Sequence, residues 1–270
     1  MKKTILFFGA ALSFLGLTAF GLMNWKGSET THLDASIDEG VVLYSQNVQK
    51  IDNSIFKDIL FDLSPRFAPM KKVTLRKARA ITDFFDANEI KEMTTLKSVD
   101  IVVIKNERQT NIREIGYSEQ LNEAQLELLR GFDYSSNFSI KASFKKINTE
   151  TGKLEDASLN PHLTVVPEKQ AVYINGTGAL MTYLKENSKE ALLNVEADKL
   201  RPAKLYFTVT IEGTIANIRL DNHSGYKILD ETLVSLISKA PGIWLPAENA
   251  EGKKVIQELV ISIVIKGMGC

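Results

Sequence analysis

The part of the chain that decides the fold reads Lys204-Leu-Tyr-Phe-Thr-Val-Thr-Ile211, then Glu212-Gly213, then Thr214-Ile-Ala-Asn-Ile-Arg-Leu220. The two long segments are rich in β-branched and aromatic residues, and a short turn with a glycine separates them, which predicts a β-hairpin. In the first strand apolar and polar residues alternate, so one face is expected to be buried. The apolar residues are Leu205, Phe207, Val209 and Ile211, and they alternate with Tyr206, Thr208 and Thr210.

Helical patterns flank this hairpin. Gly178–Asn187 precedes it, and Leu229–Ile237 follows it. Four apolar residues of the second helix form a stripe at helical spacing, which predicts the face that covers the sheet: Leu229, Leu233, Leu236 and Ile237. The apolar segment Val255–Ile265 predicts a further strand. This order of elements predicts an α+β fold, a two-layer sandwich of a small antiparallel sheet packed by helices.

The succession from 167 to 270 resembles the C-terminal domain of TonB-type energy transducers, in the form common in Bacteroidetes. The resemblance covers a little over a third of the chain and rests on the order and spacing of the elements. Three residues match the packing motif of the family, the turn glycine Gly213 and the pair Trp244 and Pro246. The resemblance implies a peptide-binding module.

In that family the last strand lies at the edge of the sheet. The resemblance therefore implies that Val255–Ile265 accepts an extended segment of a partner through main-chain hydrogen bonds, as with the TonB box of an outer-membrane receptor. The implied binding residues alternate along this strand: Ile256, Glu258, Val260, Ser262 and Val264. An alternative is that another part of the chain, or a second chain, covers the strand, because unpaired edges favour aggregation.

The first half of the chain repeats parts of this pattern. Leu121-Asn122 corresponds to Leu229-Asp230, and Asn111-Ile-Arg113 corresponds to Asn217-Ile-Arg219, while the turn Asn106-Glu107 lacks the glycine of the later copy. This internal similarity predicts two copies of an α-ββ-α-β unit. We therefore expect a diverged domain at 41–166 and a TonB C-terminal-like domain at 167–270.

The N-terminus reads as a targeting segment. Lys2 and Lys3 precede the largely apolar run Thr4–Met23, and Trp25 follows. This pattern fits a cleaved signal peptide within 1–25, and the run is also long enough for an uncleaved inner-membrane anchor. The polar residues 26–40 predict a linker. Either alternative predicts an exported protein of the periplasm or cell envelope.

Composition excludes several functional classes. Lys and Arg together number 33, as do Asp and Glu, so no charge excess points to nucleic acid. The single cysteine, Cys270, excludes an internal disulfide, although it could link two chains in a dimer. Three histidines are widely separated, and the chain has no phosphate-binding loop or nucleophile elbow. We expect no catalysis, no metal or other cofactor, and no small-molecule substrate.

These observations predict a non-catalytic envelope protein that binds an extended partner segment and is linked to TonB-dependent transport. Two alternatives stay open. One is a membrane-anchored energy transducer driven by an ExbB–ExbD-like motor, and the other is a structural protein whose repeats or copies pair their own sheet edges. Two departures from the resembled family favour binding over transduction. The membrane helix of a transducer that couples to the motor carries a Ser-His pair, whereas Thr4–Met23 contains no histidine. Arg201-Pro202-Ala203 also stands where the family usually has a Tyr-Pro pair.

Overall fold

In this computed structural model, which describes residues 54–266, the predicted hairpin forms one side of a four-stranded antiparallel sheet, here called sheet A. The hairpin strands are β9 (Ala203–Val209) and β10 (Ile215–Asn222). The last strand, β14 (Gln257–Ile265), pairs with β9, and an early strand, β1 (Ile59–Ser64), pairs with β14. The order across sheet A is therefore β1-β14-β9-β10.

Helices cover one face of sheet A. They are α1 (Ser54–Asp58), α5 (Thr177–Asn187), α6 (Lys189–Leu192) and α7 (Lys227–Ser238). The predicted stripe of α7 is buried against the sheet at Leu229, Leu233 and Ile237, whereas Leu236 is only partly buried. Fully burying one such side chain stabilises the fold by about 1.5–3 kcal/mol, so the stripe holds the two layers together.

Sheet B is built from the earlier part of the chain, and its order is β2-β7-β5-β3-β4 with β6 also paired to β5. The long central strands β3 and β5 are antiparallel, whereas β2 runs parallel to β7. The strands are β2 (Ala68–Lys71), β3 (Thr95–Lys105), β4 (Arg108–Gly116), β5 (Asn137–Ile147), β6 (Leu154–Leu159) and β7 (His162–Val166).

Short helices cover one face of sheet B and enclose a second apolar core. They are α2 (Lys72–Lys77), a 3-10 turn (Ile81–Asp83), α3 (Ala87–Glu92) and α4 (Glu123–Arg130). Asn122 caps α4, because its side chain accepts a hydrogen bond from the backbone N–H of Gln125 at 2.9 Å. The corresponding Asp230 is not a cap, since α7 begins three residues earlier, at Lys227.

Two small ribbons complete the described structure. One pairs β8 (Val172–Tyr173) with β11 (Trp244–Leu245), and the other pairs β12 (Ala247–Glu248) with β13 (Lys254–Val255). The predicted α+β class is confirmed. The order β5-β3-β4 in sheet B matches β14-β9-β10 in sheet A, and the duplication stays a prediction.

The predicted leader 1–25, the linker 26–40 and Cys270 lie outside the described residues. Within 54–266, none of the helices has the length and apolar character needed to cross a membrane. All of the described residues belong to one compact unit, and β1 crosses the expected boundary at 166/167, since it comes from the first half and pairs in the sheet of the second half.

Candidate functional site

The residues of the predicted packing motif meet at the turn of the β9–β10 hairpin. Gly213 has a φ of 78°, and a Cβ atom added there would lie 2.2 Å from the carbonyl oxygen of Trp244 and 3.7 Å from Cδ of Pro246. The Trp244 ring lies 5.4 Å from that of Tyr173 and 5.3 Å from that of Phe207, measured between centroids. The turn requires glycine because this backbone contact leaves no room for a side chain.

The predicted binding strand is interrupted near its start. Lys254–Val255 forms β13, which pairs with β12, and the second strand begins only at Gln257. Ile256 lies in the break between them and is 58% exposed. The other four predicted residues, Glu258, Val260, Ser262 and Val264, do lie on β14.

The prediction that this strand forms a sheet edge is wrong. β9 pairs with one side of β14, and β1 pairs with the other in an uninterrupted antiparallel register. The alternative that another part of the chain covers the last strand holds instead, and that part is Ile59–Ser64. β1 adds Ile59, Phe61 and Leu63 to the core beneath sheet A, and this burial favours the pairing.

The alternation of hydrogen bonds shows which residues of β14 face β1. The backbone N–H of Lys266 donates to the carbonyl oxygen of Asp58 at 2.7 Å. Since antiparallel residues alternate between hydrogen-bonded and non-bonded pairs, the bonded pairs further along are 60–264, 62–262 and 64–260. Val260, Ser262 and Val264 therefore meet a strand through the backbone groups predicted to receive one, but that strand belongs to the same chain.

A loop of sheet B closes the β14 edge beyond the end of β1. The backbone N–H of Glu258 donates to Oγ of Ser135 at 2.9 Å. Ser135 has a φ of 65°, in the left-handed region. The side of β14 that faces away from β9 is thus occupied from Glu258 to Lys266.

Two other strand edges are interrupted by β-bulges. The register of β10 against β9 shifts twice, and Asn217 has a φ of 50° at the first shift. β4 shifts against β3 around Thr110, whose side chain donates to the backbone of Val103. Bulges of this kind hinder the addition of another strand.

The outer edge of β1 has a regular register. Its outward backbone groups are those of Ile59, Phe61 and Leu63, because the intervening residues face β14. The ammonium group of Lys185 donates to the Ile59 carbonyl at 3.1 Å. Within residues 54–266, the outward groups of Phe61 and Leu63 have no hydrogen-bond partner.

An ionic cluster joins the two sheets next to β1. Glu107 lies at the tip of the β3–β4 hairpin, where both it and Asn106 have positive φ, as in the tight turns that favour glycine and asparagine. Its carboxylate accepts hydrogen bonds from Arg66, from the Tyr206 hydroxyl and, at 3.0 Å, from Lys204. Sequence reasoning missed this cluster, although Glu107 at a turn position that favours glycine was a signal.

Electrostatics stabilise the ionised form of Glu107. Burial raises the pKa of this carboxyl, but the hydrogen bonds from Arg66, Tyr206 and Lys204 outweigh it and lower the pKa from 4.5 to about 2. Burial also raises the pKa of Tyr206, and so does its hydrogen bond to Glu107. The cluster is a structural contact between the sheets, in which Arg66 and Lys204 share the single carboxylate of Glu107.

His223 and Asp230 form a histidine–carboxylate pair at the start of α7. Nδ1 of His223 lies 2.9 Å from a carboxylate oxygen of Asp230, whose other oxygen accepts from the backbone of Ser224. The Ser224 hydroxyl bonds instead to the backbone of Tyr226. This pair therefore orders a turn, and no group of metal-binding residues occurs between 54 and 266.

Comparison of the chain with known protein families, with curated proteins and with solved structures finds no match in any of the three. The likeness to the TonB C-terminal domain therefore rests on the residues themselves, on the spacing of Gly213, Trp244 and Pro246 and on the order of the elements around them.

Proposed function

We propose that this chain is a non-catalytic protein of the periplasm or cell envelope that binds an extended segment of another envelope protein. The segment adds as a strand on the β1 side of sheet A. A TonB-box-like segment, including one from an outer-membrane receptor, has the required extended form, and the link to TonB-dependent transport is part of the proposal.

The observation that carries this proposal is the pairing of β1 with β14. An extended, antiparallel segment is bound there in six consecutive residue pairs, from Ile59–Ile265 to Ser64–Val260. The edge is therefore competent in geometry and in hydrogen bonding to hold a strand. The regular register of β1 supports binding on this side of sheet A rather than at β4 or β10, whose registers are interrupted by bulges.

Site-directed photo-crosslinking in the native cell tests the proposal. A photoreactive amino acid at Leu60, which is 45% exposed on β1, and one at its paired residue Val264 on β14 are compared with one at Ile147, which is 55% exposed on β5 of sheet B. We expect a crosslink from Leu60 or Val264 to an envelope protein, mapped by mass spectrometry to one short segment. The proposal fails if both positions give the same products as Ile147, or if neither gives any.

A second candidate function is favoured by the same pairing. A structural protein that closes its own sheet edges also explains why β1 and Ser135 cover β14, and why β6 and β7 cover β5 in sheet B. The crosslinking experiment separates the two candidates, because a self-closing structural protein gives no partner adduct at Leu60.

A further inference from the structure

We propose that β1 occupies the acceptor position for a partner strand, and that a partner binds by replacing β1 on β14. This inference rests on the proposed function. It specifies the side-chain pattern of the ligand and names β1 as the strand that blocks the binding site. The ligand is an extended segment that runs antiparallel to β14, with aliphatic, aromatic and aliphatic side chains at every second position.

The topology of sheet A makes β1 the strand that can leave with least disruption. β9, β10 and β14, with the helices α5 and α7, all come from residues 177–265. Among the described strands of sheet A, β1 alone comes from the other end of the chain, and it pairs with a single neighbour. Its departure would leave β14-β9-β10 in register and covered by α5 and α7, whereas α1, which ends at Asp58 directly before β1, would be displaced with it.

The core side of β1 defines what a replacing segment must supply. Ile59 is completely buried, and Phe61 and Leu63 are partly buried against the same core. Exposing these buried apolar side chains to water is unfavourable. A partner can offset this cost only by placing apolar side chains at the same three positions, which gives the aliphatic–aromatic–aliphatic pattern.

The other face of β1 sets a weaker requirement. Leu60, Asp62 and Ser64 point away from the helices, and the Ser64 hydroxyl bonds to the Asp62 carboxylate at 3.1 Å. Polar residues are therefore compatible with these positions. Side chains of the partner segment are expected to be recognised on the face that meets the core. The main chain of the partner supplies hydrogen bonds like those of the pairs 60–264, 62–262 and 64–260.

Polar contacts hold β1 at both of its ends. At the start, Lys185 donates to the carbonyl oxygens of Lys57 and Ile59. Beyond the end, Arg66 pairs with Glu107. These contacts can re-form with water or with a partner when the strand leaves, so they favour the closed state without making it permanent.

A reversible covalent lock tests the replacement in the full chain. Asp62 and Ser262 are directly opposite, and such bonded pairs have Cα atoms about 5.5 Å apart, within the range of disulfides. The triple variant Asp62→Cys, Ser262→Cys, Cys270→Ser is oxidised to hold β1 on β14 and reduced to release it. The probe is a fluorescent synthetic peptide of residues 57–66, Lys-Asp-Ile-Leu-Phe-Asp-Leu-Ser-Pro-Arg.

The two redox forms of this variant have different expected affinities. We expect the reduced form to bind the peptide, and the oxidised form to bind it at least tenfold more weakly. Equal binding by both forms overturns the replacement and leaves strand addition beside β1 intact. Absence of binding by both forms overturns the replacement and also counts against the proposed function.

Backbone methylation of the probe provides a matched control. N-methylation at Leu60 removes a donor that faces β14, whereas N-methylation at Leu63 removes one that faces away. Replacement predicts that the first peptide loses at least tenfold in affinity while the second binds nearly as the parent does. The reverse order would mean that the peptide adds to the outer edge of the sheet.

Hydrogen exchange then follows β1 itself. At saturating peptide, amide protection of Leu60 and Asp62 in the protein is expected to fall, while Leu259 and Ile261, which face β9, stay protected. If β1 remains protected in the saturated complex, it has not been replaced.

Discussion

The backbone N–H of Glu258 on β14 donates to the hydroxyl oxygen of Ser135 at 2.9 Å, although 123 residues separate the two along the chain. Ser135 belongs to the loop between α4 and β5 of sheet B. A loop of sheet B therefore covers the β14 edge of sheet A just beyond the end of β1.

Two substitutions at Ser135 separate the free energy of its hydrogen bond to Glu258 from the strain of its positive φ. Ser135→Ala removes the hydrogen bond, which costs about 1 kcal/mol, and keeps a side chain at positive φ. Ser135→Gly removes the same bond but relieves about 1 kcal/mol of conformational strain, so we expect it to be near neutral. The free energy of unfolding, measured with urea, should therefore differ between the two variants by about 1 kcal/mol.

Hydrogen exchange provides the control for this pair of variants. The Glu258 amide should exchange faster in both, while the Leu259 amide, on the β9 side of the same strand, should not change. Unchanged protection of Glu258 would show that the hydroxyl is not its partner in solution.

Gly213 should be far less tolerant of substitution than Gly252. Both have positive φ, at 78° and 74° respectively, but nothing lies within 4 Å of a Cβ at Gly252, whereas the Trp244 carbonyl lies 2.2 Å from one at Gly213. We expect Gly252→Ala to cost about 1 kcal/mol and Gly213→Ala roughly 3 kcal/mol or more. Thermal or urea unfolding measures both, and equal costs would contradict the close packing of the turn.

Trp244 is expected to stabilise the fold through its ring and not through its N–H group. The ring is buried between Tyr173 and Phe207, and Nε1 has no hydrogen-bond partner among the described residues. Trp244→Ala should cost about 3–5 kcal/mol, and Trp244→Phe less than about 2 kcal/mol. The neighbouring Ile243→Ala, on an exposed side chain, should change the free energy of unfolding by less than about 0.5 kcal/mol.

Glu107 should make the stability of the protein depend on acid pH. Its pKa is about 2 in the folded protein, below the ordinary 4.5, so the folded state favours the carboxylate. The stabilisation is fully present above pH 4.5 and is lost as the pH falls through about 2. Glu107→Gln should lower the free energy of unfolding by about 2 kcal/mol at neutral pH.

The pH profile of this variant distinguishes ionisation from simple loss of contact. Between pH 5 and pH 3, Glu107→Gln should lose less stability than the wild type, because it has no carboxylate to protonate. Glu231→Gln is the matched control, since Glu231 lies 3.6 Å from Lys227 on the solvent-exposed face of α7 and touches neither Glu107 nor its partners. A profile for Glu107→Gln parallel to that of the wild type would rule out the proposed linkage.

Much of sheet A could be predicted from local patterns. The alternation around Phe207 predicted the buried face, and the stripe of Leu229, Leu233 and Ile237 predicted the covering helix. These features depend on residues close in sequence, where spacing alone determines which side chains share a face.

The sequence by itself determined the α+β class and the apolar faces of β9 and α7. The tertiary structure decided which strand pairs with the far side of β14. Main-chain hydrogen bonds between strands carry little side-chain information, so the sequence of β14 does not identify β1 and Ser135 as the groups that bind its far edge. Burial of Ile59 with the helices of sheet A favours β1, and burial of this kind between distant segments is settled only when the whole chain packs.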